Sequence, residues 1–224
     1  DPFFWSILPS ASSTEEQRTV AEGTPTKTAS WDHQKRAFDF GLKKPGVILA
    51  MDMGTGKTKV AIDICNANRH KRILVLCPKS VLRVWTREFE KHSLIKYQVC
   101  ILDQASVQKK TDRARLFVSN MEARNDPYVI VINHESSWRH PFSDTITRNA
   151  RGQIKERLSG FLAEQPFDCL LVDECHRAKQ HNGKFSQNLT RISGQFKQVM
   201  GLTGTPMPHS PLDVFAQMRF IEPS

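Results

Sequence analysis

From Trp31 onward, two patterns of apolar and polar residues alternate along the chain. Six short runs are almost entirely apolar and rich in β-branched residues, and the longer stretches between them carry apolar residues at helical spacing. Uniformly apolar short runs are typical of strands that are buried on both faces. The predicted strands are residues 47–51, 72–77, 98–102, 128–132, 169–173 and 198–202.

The amphipathic stretches between these runs predict helices. They cover residues 57–69, 81–92, 111–124, 154–164 and 185–194. A repeated alternation of strand and helix favours a mainly parallel sheet with right-handed crossovers and helices on both faces. We therefore predict an α/β fold of three layers, in which ligands bind at the carboxyl ends of the strands.

Residues 1–30 differ from the rest of the chain. They are rich in Ser, Thr, Ala, Glu and Pro and have little apolar patterning, so we predict a linker or an irregular leader there. Residues 31–224 are expected to form one domain. The sequence begins at Asp1 without an initiator Met or a signal peptide, and we expect it to be a segment of a longer protein. No apolar run is long enough to span a membrane.

The charge and the cysteines narrow the class of protein. The 224 residues carry a formal net charge of +9, and residues 1–30 hold more acidic than basic side chains, so the positive charge belongs to the predicted domain. A basic domain favours a polyanionic partner such as nucleic acid. The five cysteines contain no CxxC pair, which is typical of reduced thiols in a cytosolic or nuclear protein.

The stretch LAMDMGTGKTK, residues 49–59, ends like the phosphate-binding pattern GxxxxGK[ST], but Met51 stands in place of its first glycine. It joins a predicted buried strand to a predicted helix, where backbone amides and the helix dipole bind phosphate. We expect Lys57 to neutralise the β and γ phosphates and Thr58 to bring its hydroxyl to Mg²⁺. The predicted nucleotide-binding residues of this loop are Met53, Gly54, Thr55, Gly56, Lys57 and Thr58.

The stretch CLLVDECH, residues 169–176, places Asp173 and Glu174 at the end of a strand that we expect to lie beside the first strand. Asp173 would then hold Mg²⁺ opposite Thr58, and Glu174 would orient or deprotonate an attacking water. The alternative is that Asp173 and Glu174 are solvent-exposed acidic residues at the start of a helix, which would produce the same sequence. We interpret His176 as a hydrogen-bonding coupler, with a proton carrier or a metal ligand as the alternatives.

Two further stretches belong to the same predicted edge. GLTGTPMP, residues 201–208, ends a strand with Thr203, Gly204 and Thr205, whose hydroxyl and backbone groups could bond the acidic pair or its water. Lys79, Arg83 and Arg87 follow another strand at steps of four and would share one helical face. Such a face binds backbone phosphates or simply carries solvated charge.

With these stretches in view, the chain resembles the N-terminal RecA-like lobe of superfamily 2 helicases, and within them the Swi/Snf-like branch of DNA translocases. Members of that branch carry a loop like LADEMGLGKT, which also lacks a glycine at the Met51 position. WDHQKRAFDF resembles the motif in which a glutamine, here Gln34, reads the adenine edge. LCPKSVLRVWTREFEKH is similar to the segment that touches nucleic acid, which assigns that role to Lys79, Ser80 and Arg83.

The resemblance, which runs from Trp31 to Pro223, implies a RecA-like P-loop NTPase domain. It implies an ATPase that uses ATP and Mg²⁺ to move along duplex DNA, with catalytic roles for Lys57, Asp173, Glu174 and His176. It also implies a second RecA-like lobe with an arginine finger, without which this lobe is nearly inactive. Localisation would be cytoplasmic, with association with a nucleoid or with chromatin if the protein is eukaryotic. The alternatives are a helicase acting on RNA or single-stranded DNA, and a non-catalytic nucleotide-binding module.

Overall fold

The structure is a computed structural model, and it describes residues 24–149, 151, 154–180, 182–207 and 212–222. The strands in this part of the chain are β1 (Gly46–Ala50), β2 (Arg72–Cys77), β3 (Gln98–Leu102), β4 (Tyr128–Asn133), β5 (Thr145–Arg148), β6 (Ile154–Leu158), β7 (Cys169–Asp173) and β8 (Gln198–Thr203). The helices are α1 (Asp32–Leu42), α2 (Lys57–Ala67), α3 (Val84–His92), α4 (Val107–Arg124), α5 (His134–Ser137), α6 (Lys184–Ser193) and α7 (Leu212–Ile221). Short 3₁₀ turns cover Lys79–Val81, Phe161–Glu164 and Cys175–Ala178.

Six strands form one parallel sheet in the order β1-β8-β7-β2-β4-β3. Alternate residues of each strand enter opposite cores: Leu74 packs among residues of α4, α6 and α7, whereas Ile73 and Val75 pack among residues of α1, α2 and α3. Both faces are therefore covered, which is why the strands are apolar throughout. The predicted three-layer α/β fold is confirmed.

The six predicted strands are also confirmed, and their ends differ from the prediction by one residue at most. Apolar runs of this length mark strands well because burial on both faces leaves little room for polar residues. All five cysteines lie in this part of the chain, and they are buried and free. None of the described helices is both long and apolar enough to cross a bilayer.

The helix predicted over residues 154–164 is wrong. Residues Ile154–Leu158 form β6, which pairs antiparallel with β5, and a 3₁₀ turn follows at Phe161–Glu164. Gly160 separates the two elements in an extended conformation, and its N–H donates to Oδ1 of Asp144 at 2.9 Å. A Cβ on Gly160 would lie 2.6 Å from the carbonyl oxygen of Ser143, so only glycine fits where the chain passes this backbone.

Two predicted helix starts were displaced. The helix after β2 begins at Val84, because Lys79 lies in a separate 3₁₀ turn and Arg83 is the N-cap residue. Lys79, Arg83 and Arg87 therefore do not share one continuous helix, although all three are exposed. The helix α4 begins at Val107 rather than at residue 111, because the hydroxyl of Ser106 accepts the N–H of Lys109 and caps the first turn.

The order of the strands overturns one prediction about the site. The strand that ends at Asp173 does not lie beside β1, because β8 pairs with both β1 and β7 and separates them. The N–H of Met51 extends this pairing and donates to the carbonyl of Thr203 at 3.1 Å. The turn after β8 therefore lies between the phosphate loop and the acidic pair.

Residues 24–31 form no regular helix or strand but pack against the domain. The hydroxyl of Thr28 lies 2.8 Å from Nδ1 of His92, and Nζ of Lys59 donates to the hydroxyl of Ser30 at 2.6 Å. The last residues of the predicted leader thus have fixed contacts with α2 and α3. Residues 1–23 of the predicted leader lie outside the described residues.

Candidate functional site

One cleft brings the phosphate loop and the acidic pair together. It has a volume of about 570 Å³ and opens at the carboxyl edge of the sheet. Its walls include Gly54, Lys57, Thr58, Trp85, Asp173 and Glu174. Lys57, at the start of α2, and Asp173, at the end of β7, thus face the same space although β8 separates β1 from β7.

The phosphate loop depends on two glycines in the left-handed region, Gly54 at φ +79° and Gly56 at φ +86°. A side chain is strained at such angles. A Cβ on Gly56 would also lie 2.3 Å from Nε2 of Gln34, so a larger residue would have to displace that side-chain amide. Lys57 begins α2 directly after this turn, and its helix N-terminus is a favourable place for an anion.

Met51 explains the missing first glycine. Its side chain is 6% exposed and belongs to the core between the sheet and helices α1, α2 and α3. The position continues β1 by one hydrogen bond before the loop turns at Gly54. A buried apolar side chain is therefore compatible with the loop, because the residues that face the cleft come after it.

Gln34, predicted to read adenine, is buried and uses both ends of its side-chain amide. Nε2 donates to the carbonyl of Thr55 at 2.9 Å, and Oε1 accepts the N–H of Trp31 at 3.1 Å. Nε2 of His33 lies 2.9 Å from the same Thr55 carbonyl. These contacts join α1 to the phosphate loop. Trp31 is 62% exposed, and its ring centroid lies 5.5 Å from that of His33.

The acidic pair has an unusual backbone. Glu174 adopts the left-handed conformation, with φ 48° and ψ 48°, and its N–H donates to Oδ1 of Asp173 at 3.0 Å. Strained residues of this kind concentrate at functional sites. Burial and then the charge of Glu174 raise the pKa of Asp173 to about 6, against the opposing charge of Lys57. The carboxylate of Asp173 is therefore buried beside a second carboxylate, with Lys57 as the opposing positive charge.

The residues of the cleft fit Mg²⁺. Thr58 and Asp173 offer a hydroxyl and a carboxylate oxygen to the same space, and the two adjacent carboxylates of the acidic pair favour a cation. Mg²⁺ usually takes one or two protein ligands and completes its shell with substrate phosphates and water. Such a donor set agrees with a nucleotide-bound cation.

His176 lies between the acidic pair and the turn after β8. Its Nδ1 is 3.2 Å from Oε2 of Glu174 and 3.1 Å from Oγ1 of Thr203. Burial lowers the pKa of His176, and the charge of Glu174 opposes this shift. Thr203 Oγ1 also accepts the N–H of Thr205 at 3.1 Å. Gly204 lies beside the phosphate loop, since a Cβ at that position would be in ordinary van der Waals contact with Cγ of Met53 at 3.5 Å.

The turn after β4 adds charged groups beside the acidic pair. Asn133 donates through Nδ2 to Oε2 of Glu135 at 2.7 Å, and Glu135 pairs with Arg177 at 3.5 Å. Nζ of Lys110, on α4, donates to the Ser136 hydroxyl at 3.0 Å. This network links the turns that follow β4 and β7.

The predicted nucleic-acid residues lie at the same edge of the sheet. Lys79, Ser80 and Arg83 are exposed at the end of β2, and Arg83 forms a surface ion pair with Asp103 at 3.1 Å. Sequence reasoning did not single out Trp85, which lines the cleft beside Asp173. A tryptophan on an amphipathic helix usually indicates core packing. The available signal was its place two residues after Arg83, at the start of the helix that follows β2.

Comparisons with known proteins agree with this architecture. The family described as "SNF2-related domain" matches residues 14–224. Relatives include "DNA annealing helicase and endonuclease ZRANB3" from Bos taurus, 29% identical over 85% of this chain and 16% of that protein. "Chromodomain-helicase-DNA-binding protein 7" from Homo sapiens is 30% identical over 79% of this chain and 6% of that protein. The chain thus spans a small part of these relatives.

Two solved structures share the fold. The "Sulfolobus solfataricus SWI2/SNF2 ATPase core in complex with dsDNA" has a TM-score of 0.62 and 22% identity, and covers 88% of this chain and 36% of that chain. The "Sulfolobus solfataricus SWI2/SNF2 ATPase core domain" has a TM-score of 0.63 and 20% identity, with 97% and 40% covered. The resemblance noted in the sequence is confirmed, and the chain belongs to the SNF2-related domain family.

Proposed function

We propose that this chain is the ATP-binding lobe of an ATPase that couples ATP hydrolysis to translocation on duplex DNA. The observation that supports it most is the shared cleft of Lys57, Thr58, Asp173 and Glu174. Relatives named as a DNA annealing helicase and a DNA-binding helicase, and a related core solved with dsDNA, support duplex DNA as the track. Those relatives are much longer than this chain, and we propose that the activity requires a longer protein that contains this lobe.

ATP binding begins with its phosphates. The backbone around Gly54 and Gly56 and the N-terminus of α2 bind phosphate oxygens, and Nζ of Lys57 neutralises their charge. Thr58 and Asp173 are the ligands that we propose for Mg²⁺, which, when bound, neutralises the phosphate oxygens. Gln34 holds the loop in place through the Thr55 carbonyl.

Hydrolysis requires an oriented water. We assign Glu174 as the group that orients this water and accepts its proton, because its carboxylate lines the cleft beside Asp173. His176 contacts both Glu174 and Thr203, so it holds the Glu174 carboxylate against the turn after β8. Thr203, Gly204 and Thr205 are assigned to coupling between this turn and the acidic pair.

Translocation requires contacts with the DNA from this lobe and from a second lobe. Lys79, Ser80 and Arg83 present polar and basic groups to the backbone phosphates without reading sequence. A second RecA-like lobe supplies the arginine finger, which typically contributes about 10³ to 10⁵ in rate. The isolated lobe is therefore expected to hydrolyse ATP very slowly, and the full protein is expected to act on DNA in a nucleoid or in chromatin.

The kind of nucleic acid along which the protein moves is tested by measuring the ATPase rate of the full-length protein with duplex DNA, single-stranded DNA and RNA. Duplex DNA should stimulate turnover most. Stimulation by single strands or RNA alone would assign the protein to the other class of superfamily 2 helicase. Salt dependence gives a second reading, because phosphate contacts weaken steeply as salt rises.

The catalytic assignment is tested by Glu174→Gln in the full-length protein. Turnover should fall by about 10² to 10⁴, as expected for loss of a general base, while binding of a fluorescent ATP analogue persists. Glu164→Gln is the matched control, since Glu164 is an exposed partner of Arg115 far from the cleft. Unchanged turnover in Glu174→Gln would exclude this base, and an inactive parent protein would favour a non-catalytic nucleotide-binding module.

A further inference from the structure

Trp31 offers an exposed ring to the nucleotide cleft. Of the ring side chains that line the cleft in the described part of the chain, Trp85 and His92 are buried, whereas Trp31 is 62% exposed. An aromatic face of this kind stacks on nucleobases, because every base has a π-face of its own. Trp31 is therefore the ring in this cleft that a nucleotide base can reach.

The backbone that carries this indole is held in place. The residue before it, Ser30, accepts a hydrogen bond from Nζ of Lys59 at 2.6 Å, which ties the chain to α2. The N–H of Trp31 itself donates to Oε1 of Gln34 at 3.1 Å. A platform that is fixed before the ligand arrives loses less conformational entropy on binding than a mobile one.

Gln34 is committed to the phosphate loop. Its side chain is buried, and Nε2 donates to the carbonyl of Thr55 at 2.9 Å while Oε1 accepts the N–H of Trp31. Nε2 also lies 2.3 Å from the place that a Cβ on Gly56 would take, so the amide lies directly against the loop. Reading an adenine edge would require the amide to give up these partners.

We propose that the cleft holds a purine base on the face of Trp31, and that Gln34 positions the phosphate loop instead of reading adenine. This inference rests on the proposed function, because it takes the cleft as the nucleotide site. Stacking contributes affinity without distinguishing the exocyclic amino group of adenine from the exocyclic oxygen of guanine. The substrate class that follows is purine nucleoside triphosphates, GTP as well as ATP.

The test measures displacement of a ribose-labelled fluorescent ATP analogue from the full-length protein, with Mg²⁺ and without DNA. The competitors are ATP, GTP and inorganic tripolyphosphate, which has the phosphates but no base. ATP and GTP should act at concentrations within about threefold of each other, and tripolyphosphate should require on the order of 10-fold more, because it lacks the stacked base. A preference for ATP over GTP above about 10-fold would overturn the inference, since a site that hydrogen-bonds one base edge rejects another strongly.

Substitutions of Trp31 test the platform. Trp31→Ala should raise the half-displacement concentrations of ATP and GTP on the order of 10-fold and leave that of tripolyphosphate unchanged. Trp31→Phe keeps a stacking ring and should retain most of the parent affinity. Trp138→Ala is the matched control, because Trp138 contacts Arg139 and Lys184 rather than the cleft, and it should match the parent with every competitor. Parent-like displacement by ATP in Trp31→Ala would overturn the role of the indole.

Gln34→Ala separates base reading from loop positioning. Loss of the contact with the Thr55 carbonyl should weaken ATP, GTP and tripolyphosphate by a similar factor, because all three bind through their phosphates. Parent-like binding of all three would overturn the positioning role. A weakening confined to ATP would show that Gln34 reads adenine, which would overturn the inference and leave the proposed function intact. If the parent protein binds neither the analogue nor ATP, the proposed function itself fails.

Discussion

Nδ1 of His176 lies 3.1 Å from the hydroxyl oxygen of Thr203, and the contact joins the ends of two neighbouring strands, β7 and β8. His176 also contacts Glu174, so the hydroxyl of Thr203 is linked to the proposed general base through the imidazole of His176. Thr203 is fully buried, which fixes its hydroxyl relative to the sheet. The acidic pair is therefore tied to the turn that separates it from the phosphate loop.

Replacing Thr203 by Val should reduce ATP turnover roughly fivefold in the full-length protein, because a hydrogen bond contributes about 1 kcal/mol. The KM for ATP should change little, since Thr203 is not assigned to nucleotide binding. Thr190→Val removes a comparable hydroxyl, which bonds the Ser186 carbonyl within α6, and should leave turnover unchanged. Parent-like turnover in Thr203→Val would contradict a role for this contact in hydrolysis.

Restoring the missing first glycine of the phosphate loop should destabilise the protein. Met51→Gly removes a buried side chain, so we expect the free energy of unfolding to fall by roughly 2 to 5 kcal/mol in denaturant titrations. ATP affinity should not improve, because the phosphate-binding amides come from later residues. Met53→Gly, in the same loop but 85% exposed, should change stability far less. Tighter ATP binding by Met51→Gly would show that the loop is incomplete without the first glycine.

A buried carboxylate at the start of β7 should make stability depend on pH. Burial by itself would raise the pKa of Asp168, but hydrogen bonds from Lys197 and Arg72 outweigh it and lower the pKa to about 2. Because the folded-state pKa lies below the unfolded value, the stabilisation is present at neutral pH and is lost as the pH falls from about 4 toward 2.

Asp168→Asn should therefore lower the free energy of unfolding by about 2 kcal/mol at pH 7. The difference from the parent protein should shrink as the pH approaches 2, in denaturant titrations at several pH values. Asp112→Asn, on the exposed face of α4, is the control and should show a much smaller effect. A difference between Asp168→Asn and the parent that does not vary with pH would contradict the ionic explanation.

The ion pair between Lys59 and Asp63 is buried one turn after the phosphate loop. Burial raises the pKa of Asp63, and Lys59 opposes this shift, so removing the lysine leaves a charge without its partner. Lys59→Met should cost about 3 to 5 kcal/mol of unfolding free energy, whereas Lys59→Met with Asp63→Leu should recover most of the loss.

The exposed ion pair of Lys35 and Asp32 is the control for the substitutions at Lys59 and Asp63. Lys35→Met should change the unfolding free energy by well under about 1 kcal/mol, because solvent screens such pairs. If the double substitution at Lys59 and Asp63 were as unstable as Lys59→Met alone, packing rather than the unpaired charge would explain the loss.

Much of the fold follows from local pattern. Strands such as β4 and β7 are apolar at nearly every position, which only burial on both faces explains, and their ends were predicted within a residue. The region after Arg148 was harder to interpret. The polar residues of β5 and β6 pair with each other outside the main sheet, so they carry neither the apolar run of a buried strand nor a reliable helical period.

The candidate site, like the fold, was predictable from the sequence only in part. Gly54 and Gly56 were recognisable because a phosphate loop needs left-handed backbone at fixed positions, and both have that conformation. The contacts of Gln34 were not recognisable, because its hydrogen bond to the Thr55 carbonyl joins residues that are distant along the chain. Trp85 was missed for the same reason: it lines the cleft together with Asp173, which comes from a strand much later in the sequence.

The sequence by itself determined which segments form the six main strands and which loop suits phosphate. It also determined the edge of the sheet at which the functional residues lie, since parallel strands all end on one side. Only the tertiary structure decided that β8 lies between β1 and β7 and that Trp85 lines the same cleft as Asp173. The physical reason is that residue periodicity records which faces are buried, whereas neighbours across the sheet are selected by the packing of segments far apart in the chain.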